Sequence, residues 1–359
     1  MSALPRFAGR HEIAVVLLGT GVVGGALLRL LATPAAAAVR LVGVANSTRQ
    51  VTDPAGFASD VGAALLAHCE PFRCDDALLA ALDRSGASRR VVIDATASAE
   101  TAARHADWLA AGYDVVTANK AAAAAASKTW TALRHACLRG ATYGDAATVG
   151  AGLPVLATLR RLRTCGDALI ALDGVFSGSL SWLFNQYDGS RPFSALLREA
   201  HAFGYTEPDP RRDLSGVDVA RKLVILARAG GFAIDVEDVH VENLVPPQLR
   251  ALDTAAFLAR ADELDAEIEN RHAAADAQGC VLRHLATLDE HGVARVELAA
   301  VAADHPAARL SGTDNLFALT TQRYRTRPLV IQGPGAGADV TAQALLGDLL
   351  SLQPARFAA

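Results

Sequence analysis

The chain has 359 residues, of which 51% are hydrophobic and 20% are charged, and its formal net charge is −4. A chain of this length and composition belongs to the globular class and can bury the core of one large domain or of two smaller ones. The slightly acidic balance offers neither the basic surface that nucleic acids need nor a polybasic segment for anionic lipids, so we expect a small-molecule ligand and neither of those partners.

The cysteines and the N-terminal segment bear on the compartment. The five cysteines are odd in number and form no C-x-x-C pair, which is typical of small core residues in a reducing compartment, so we predict a cytosolic protein. An alternative is export, because Arg6 and Arg10 precede an uncharged run at 13–28. Glu12 interrupts that flank, and the run holds four glycines whose spacing has another explanation. No other stretch approaches the ~18 apolar residues that span a bilayer.

The first half of the chain alternates short β-branched runs with helical stretches rich in Ala and Leu. The predicted strands are 13–19, 39–45, 91–96 and 114–118. The predicted helices between them are 24–32, 75–86 and 100–112, and the alanine run 121–126 is also interpreted as helix. This alternation predicts an α/β fold that begins with a Rossmann-type, doubly wound parallel sheet over residues 1–150.

Three glycines in G-x-G-x-x-G spacing, Gly19, Gly21 and Gly24, lie directly between the first strand and the first helix. In a dinucleotide site the first glycine makes the tight turn, the second lets the backbone approach a pyrophosphate, and the third permits close packing of the helix. The segment, including Val22 and Val23, is therefore a candidate cofactor site. The alternative is a turn with a structural role only.

The end of the second strand bears on which dinucleotide would bind. NAD-specific sites often carry an acidic residue there, whereas this chain has the neutral Asn46 with Arg49 close by. The pattern favours NADP or the use of both cofactors. Arg49 facing water is the alternative.

The texture changes after about residue 150, which predicts a second, α+β domain over 151–332 and a C-terminal segment over 333–359. Within it, 171–184 could begin a second sheet, 192–204 and 216–231 are predicted helices, and 281–301 is a predicted hairpin. The C-terminal segment again has the pattern of a strand, a glycine turn and a helix.

Only three of the 34 Lys and Arg residues are lysines, at positions 120, 128 and 222. A buried ammonium can release its proton whereas a guanidinium does not, so a retained lysine is a candidate for proton transfer. Asp218 and Lys222 are four residues apart and share one face of a largely apolar helix. The alternative is an exposed helical ion pair with little effect.

Seven segments together resemble the homoserine dehydrogenases, most closely the dehydrogenase half of the bifunctional aspartokinase–homoserine dehydrogenases. In chain order they are GTGVVGGALL, VVIDATAS, VVTANK, ATVGAGLPV, FSGSLSWLF, GYTEPDPRRDLSGVDVARKLVILAR and IQGPGAGADVTA. The resemblance implies reversible conversion of L-homoserine and NAD(P)+ to L-aspartate 4-semialdehyde and NAD(P)H, a step of threonine and methionine biosynthesis. It also implies a homodimer paired through the second domain, which would bind the substrate.

The resemblance assigns roles to individual positions. Lys222 corresponds to the residue that exchanges a proton with the substrate oxygen, and Lys120 to a second active-site lysine near cofactor and substrate. Glu207 and Asp218 match the carboxylates that hold the substrate amino group, and Asp213 matches an acid of the same cluster. The remaining matches are Thr96 at a cofactor-contacting strand end, and Gly335 and Gly337 in the glycine turn that returns to the nucleotide domain.

One segment departs from the family pattern. Family members bind a monovalent cation, Na+ or K+, through an acid and several backbone carbonyls, but the acid position here is Ala146, and Asp145 stands one residue early. The carbonyls of Val149, Ala151 and Leu153 remain candidate ligands. We also expect neither a kinase domain before Gly19 nor a threonine-binding domain at the C-terminus.

Two other functions remain open from the sequence. A non-catalytic Rossmann protein could sense NADP(H) or act as a scaffold, although it would need neither the two lysines nor the acids. An aspartate-semialdehyde dehydrogenase shares a substrate but needs a thiol nucleophile beside a base, and no cysteine here has such a setting.

Overall fold

The computed structural model describes residues 13–353, which form two compact units. Unit 1 comprises 13–123, 128–148 and 338–353, and unit 2 comprises 124–127 and 149–337. The predicted features at Arg6, Arg10 and Glu12 lie outside the described residues.

Strands and helices alternate along the first part of the chain. The strands are β1 (Ile13–Leu18), β2 (Val39–Ala45), β3 (Gln50–Thr52), β4 (Arg89–Asp94), β5 (Asp114–Thr117), β6 (Tyr143–Gly144), β7 (Leu169–Val175), β8 (His240–Val241), β9 (Cys280–Leu288), β10 (Ala294–Ala302), β11 (Asp314–Thr321) and β12 (Leu329–Pro334). The helices are α1 (Val22–Leu31), α2 (Ser59–His68), α3 (Asp75–Arg84), α4 (Ala99–Ala103), α5 (His105–Ala110), α6 (Lys120–Ala123), α7 (Ser127–Leu138), α8 (Val155–Thr164), α9 (Gly178–Gln186), α10 (Phe193–Ala202), α11 (Arg211–Leu214), α12 (Val217–Gly230), α13 (Thr254–Ala259), α14 (Asp265–Asp276) and α15 (Ala338–Ser351).

Unit 1 is built on a six-stranded sheet in the order β3-β2-β1-β4-β5-β6. Its strands are parallel except for β3, which pairs antiparallel with β2 at one edge. The order reverses at β1, and in open α/β sheets a ligand site lies at the carboxyl ends of the strands beside that reversal.

Both faces of this sheet are buried, as expected of a parallel sheet. Successive residues of β1 enter two different cores: Ile13, Val15 and Leu17 pack with α1 and α15, whereas the alternate residues pack with α3 and α5. This explains why β1 consists entirely of apolar residues and has no polar face.

Unit 2 contains a second six-stranded sheet in the order β12-β11-β7-β9-β10-β8. Its pairs are antiparallel except for β8 with β10. Helices α9, α12 and α14 pack against β9. Gly216 begins α12 with φ of +71°, and a Cβ there would lie 2.9 Å from Val241 Cγ1, so only glycine fits between that helix start and the sheet.

The predicted fold class, a Rossmann-type α/β sheet with a second α+β domain, is confirmed. Some local predictions were wrong in detail. The run 171–184 supplies only the end of β7 before α9 begins, and the alanine run 121–126 is helical only to Ala123. The predicted helix 100–112 is two helices, α4 and α5, with a turn at Arg104. Within residues 13–353, no helix combines the length and the apolar character needed to cross a bilayer.

Candidate active site

The glycine turn of unit 1 has the geometry that its spacing predicted. Gly19 has φ of +93°, and a Cβ on it would lie 2.8 Å from the Ala95 carbonyl oxygen. A Cβ on Gly24 would lie 1.9 Å from the Gly19 carbonyl oxygen. A Cβ on Gly21, by contrast, would meet no protein atom within 4 Å. Gly19 and Gly24 are thus required by the fold, whereas Gly21 leaves open space at the N-terminus of α1, where a phosphate would be stabilised.

A cavity of about 540 Å³ lies beside this turn. It is lined by Thr20, Gly25, Leu28, Arg29, Ala32, Asn46, Arg49, Ser59, Asp60, Ala63, Leu66 and Ala67. The Asn46 side-chain oxygen accepts a hydrogen bond from the Arg49 backbone N–H at 2.8 Å, and Arg49 Nη1 donates to the Ala67 carbonyl at 2.8 Å. Arg49 therefore borders the cavity instead of simply facing water.

The valines of the turn differ in their surroundings. Val22 is 80% exposed, whereas Val23 packs against the core between the sheet, α1 and α15. Only the backbone of Val22 is therefore suited to contact a ligand at the helix start.

Two further cofactor candidates lie at the carboxyl ends of β4 and β5. The Thr96 backbone N–H donates to Asp94 Oδ1 at 2.8 Å, which fixes the turn after β4. Lys120 is the first residue of α6, directly after β5, and it is half-buried. Both residues stand at the sheet edge where α/β proteins bind ligands.

Asp218 and Lys222 lie in the first two turns of α12 in unit 2. Lys222 Nζ is 3.0 Å from Asp218 Oδ2, and it also donates to the Phe176 carbonyl at 2.8 Å. The Lys222 side chain is only 13% exposed. The alternative of a fully exposed ion pair is therefore wrong for Lys222, and its ammonium is held in one position by two acceptors.

Three of the predicted carboxylates line one cavity of about 440 Å³ in unit 2, namely Glu207, Asp213 and Asp218. The other lining residues are Ser177, Arg212, Ser215, Val217, Val219 and Arg221. A cavity with this lining is suited to a small ligand that carries both an ammonium and a carboxylate, because each charge finds an opposite one.

Asp213 is the most buried acid of this group. Its Oδ1 accepts a 2.6 Å bond from the Ser179 hydroxyl, and its Oδ2 accepts the Glu207 backbone N–H at 2.8 Å. Burial is the largest cause that raises the pKa of Asp213, and the nearby charges of Glu207 and Asp218 raise it further, while the two hydrogen bonds act in the opposite direction. An ammonium ligand would relieve this accumulation of negative charge.

Sequence reasoning did not assign a role to the two serines that support this cavity. Ser177 caps the N-terminus of α9, and its hydroxyl lies 2.9 Å from that of Ser179, which in turn holds Asp213. The signal was present in the stretch FSGSLSWLF, where a serine follows a strand and precedes a helix. Its link to Asp213, however, spans 34 residues.

The segment proposed to bind a cation contains the irregular backbone that a carbonyl site needs. Asp145 is fully buried in unit 1, where the Ala146 backbone N–H donates to Asp348 Oδ2 at 2.9 Å. In unit 2, Ala151 has φ of +51°, and the Leu153 carbonyl accepts the Val155 N–H at 2.8 Å. Val149 is buried beside them. Across residues 13–353, no group of three or more His, Cys, Asp or Glu side chains could hold a metal ion.

The C-terminal glycine turn is closely packed in unit 2. A Cβ on Gly335 would lie 2.1 Å from Asn315 Cγ, and Gly337 has φ of +132°. Both positions therefore favour glycine, for packing at the first and for backbone conformation at the second.

Comparisons with known proteins agree with this geometry. A family model described as "Homoserine dehydrogenase, NAD binding domain" matches residues 19–141, and one described as "Homoserine dehydrogenase" matches residues 154–350.

Similar proteins include a chloroplastic bifunctional aspartokinase/homoserine dehydrogenase 2 of Zea mays, 38% identical over 357 residues. The match covers 96% of this chain and 39% of that protein, so the chain spans about two fifths of the length of this bifunctional relative. The homoserine dehydrogenase of Saccharomyces cerevisiae is 35% identical, with 95% of this chain and 98% of that protein covered. The crystal structure of a Candida auris protein of unknown function matches with a TM-score of 0.87 at 33% identity, over 95% of this chain and 98% of that one.

Proposed function

This chain belongs to the homoserine dehydrogenase family, and we propose that it catalyses the reversible NAD(P)-dependent conversion of L-homoserine to L-aspartate 4-semialdehyde. The observation that carries the proposal is the position of Asp218. Its carboxylate bonds Lys222 and also lines the cavity that contains Glu207 and Asp213. One side chain thus joins the group suited to proton transfer to the acids suited to an amino group.

In unit 2, the chain's own residues would bind and orient the amino acid. Glu207 and Asp213 would pair with the substrate ammonium, which a buried carboxylate attracts strongly. Lys222 would accept the hydroxyl proton during oxidation and return it to the aldehyde oxygen during reduction. Asp218 and the Phe176 carbonyl would hold Nζ at the required position, because both already accept its hydrogen bonds.

Unit 1 contains the NAD(P)-binding domain of the family, and its residues fit such a cofactor. The space beside Gly21 would accommodate the pyrophosphate at the α1 N-terminus, and the cavity bordered by Asn46 and Arg49 would take the adenosine part. When bound, the cofactor supplies the hydride acceptor or donor for the reaction. Thr96 and Lys120 are proposed to contact it from the ends of β4 and β5.

We propose NADP, or both dinucleotides, as the cofactor. A neutral Asn46 and a nearby guanidinium suit a 2′-phosphate better than a free ribose hydroxyl, because a carboxylate at this position would repel the phosphate. Arg49→Ala should then lower kcat/KM with NADP+ and leave kcat/KM with NAD+ nearly unchanged. An equal loss with both cofactors would contradict this role for Arg49.

Several finer properties remain proposals that the family supports. We propose a homodimer paired through unit 2, a cytosolic location, and a role in threonine and methionine biosynthesis, with neither nucleic acid nor a membrane as partner. A bound Na+ or K+ would use the carbonyls of Val149, Ala151 and Leu153. Light scattering after size-exclusion chromatography tests the dimer.

The decisive experiment measures the formation of reduced cofactor by its near-ultraviolet absorbance, with L-homoserine and either NAD+ or NADP+, in the presence and absence of Na+ or K+. Homoserine-dependent reduction is expected, and the rates rank the cofactors and reveal any ion requirement. Protein that binds NADPH but shows no turnover under any condition would contradict the enzyme and favour the non-catalytic sensor.

A further inference from the structure

A chain of buried polar side chains lies beneath the two cofactor-facing turns of unit 1. Asp94, at the end of β4, and His105, at the start of α5, are both 0% exposed, and Asn119, before α6, is 5% exposed. None of them was singled out by the sequence, and the proposed catalytic steps use none of them.

The Asp94 carboxylate is the centre of this network. Its Oδ1 accepts the Thr96 backbone N–H at 2.8 Å, and its Oδ2 accepts Asn119 Nδ2 at 3.0 Å. His105 Nε2 lies 2.9 Å from the same Oδ2. Because a carboxylate only accepts hydrogen bonds, Nε2 carries the proton and donates it, and His105 Nδ1 is then able to accept from the Tyr143 hydroxyl at 3.1 Å.

Asn119 connects the turn after β4 to the turn after β5. Its Nδ2 also donates to the Ser98 carbonyl at 2.8 Å, and its Oδ1 accepts the Ala121 backbone N–H at 3.1 Å. Its own backbone N–H donates to the Thr117 hydroxyl at 2.8 Å. The turn that carries Thr96 and the helix start that carries Lys120 are therefore held by one buried carboxylate and one carboxamide.

A role in fold stability alone would not require this arrangement. Burying a carboxylate is costly unless several donors satisfy it, and apolar residues of similar volume usually serve a core at least as well. Buried polar networks are instead suited to fixing one geometry. This network lies at the carboxyl edge of the parallel sheet, where the ligand site of such a fold is found.

We propose that Asp94, His105 and Asn119 form a positioning network that sets the cofactor-binding geometry of the Thr96 and Lys120 turns, with His105 acting through Asp94. This inference rests on the proposed function, in which those turns contact the dinucleotide. His105 is a positioning residue, because its imidazole bonds the protein and not the ligand.

The test compares three variants of full-length protein by direct NADPH titration. His105→Phe removes the donor to Asp94 and should raise the Kd for NADPH roughly tenfold or more, since small displacements of positioning groups are costly. His105→Gln keeps an N–H donor and should restore most of the affinity. Asn119→Ser, which disconnects the turns, should weaken binding in the same way and decides the question alone if His105→Phe does not fold.

Trp108→Phe is the matched control. Trp108 is buried on α5 with its ring 5.6 Å from that of His105, and its indole nitrogen has no hydrogen-bond partner within residues 13–353. The control should lower stability without changing the Kd for NADPH. Hydrogen exchange should accelerate at 95–99 and 118–122 in His105→Phe and not in Trp108→Phe, and the KM for homoserine should stay unchanged in both.

The outcomes separate this inference from the proposed function. Wild-type turnover combined with unchanged NADPH affinity in His105→Phe or, if that variant does not fold, in Asn119→Ser would overturn the network's role and leave the enzyme intact. An equal loss of affinity in Trp108→Phe would reduce the network to fold stability. Wild-type protein that binds NADPH without turnover would overturn the enzyme but not the network, and protein that binds no dinucleotide would overturn both.

Discussion

Lys222 Nζ lies 3.0 Å from Asp218 Oδ2, and Asp218 lies in the first turn of the same helix and lines the cavity that Glu207 and Asp213 also border. The helix spacing brings the acid and the base together, and the backbone carbonyl of Phe176 provides a second acceptor. An ammonium with two fixed acceptors has few orientations available, which is what directed proton transfer requires.

Lys222→Ala should lower kcat by about 10²–10⁴-fold, the usual contribution of a general acid or base. Lys222→Arg should fail as badly, because a guanidinium keeps the charge but cannot release a proton. Both variants should bind NADPH normally in a fluorescence titration. Lys128→Arg, at an exposed lysine, is the control and should behave as wild type. Near wild-type turnover in Lys222→Arg would refute the acid–base role.

The KM for homoserine should rise on acidification earlier than ordinary aspartates would predict. Burial raises the pKa of Asp213, so this carboxylate loses its charge at a higher pH than a solvent-exposed one as the pH falls. The ammonium of the substrate then loses one of its partners. Asp213→Asn should show a high KM at neutral pH and a flatter pH profile. An unchanged profile in that variant would exclude Asp213 as the titrating group.

Gly21→Ala should weaken NADPH binding by about tenfold or more while leaving the melting temperature unchanged. A Cβ at this position meets no protein atom within 4 Å, so only a bound ligand would feel it. Gly24→Ala should instead destabilise the protein, because its Cβ would lie 1.9 Å from a carbonyl oxygen. Gly347→Ala, equally unobstructed but in α15, is the control. Unaltered affinity in Gly21→Ala would place the pyrophosphate elsewhere.

Part of the stability of unit 2 should be lost as the pH rises above neutrality. His305 Nε2 lies 3.0 Å from Asp173 Oδ1, and this hydrogen bond is the main cause that raises the pKa of His305 above 6.5. The stabilisation is therefore fully present below pH 6.5 and disappears as the pH passes the raised value.

Because both groups are partly exposed, the effect should stay below about 1 kcal/mol. Urea unfolding midpoints on both sides of neutrality should differ less in His305→Gln than in wild type. The exposed His291 provides the matched substitution, His291→Gln, which should keep the wild-type pH dependence. If His305→Gln retained the full dependence, another group would be responsible.

Local sequence patterns determined much of the fold of this protein. The apolar run of β1, the spacing of Gly19, Gly21 and Gly24, and the apolar character of α12 each depend on neighbouring residues alone, and each element lies where it was predicted. The same holds for Asp218 and Lys222, since residues four apart on a helix are adjacent. The scarcity of lysine also directed attention to Lys222 through its chemistry.

Only the tertiary structure decided which distant residues meet. Ser179 and Asp213 are 34 positions apart, and Asp94 and Asn119 are 25 apart, so no local period predicts either hydrogen bond. The pKa of Asp213 is likewise a tertiary property, because its main cause is burial by elements from elsewhere in the chain. Sequence spacing determines which groups share a turn, whereas chain folding determines which groups lose water, and charge in this site depends on the second.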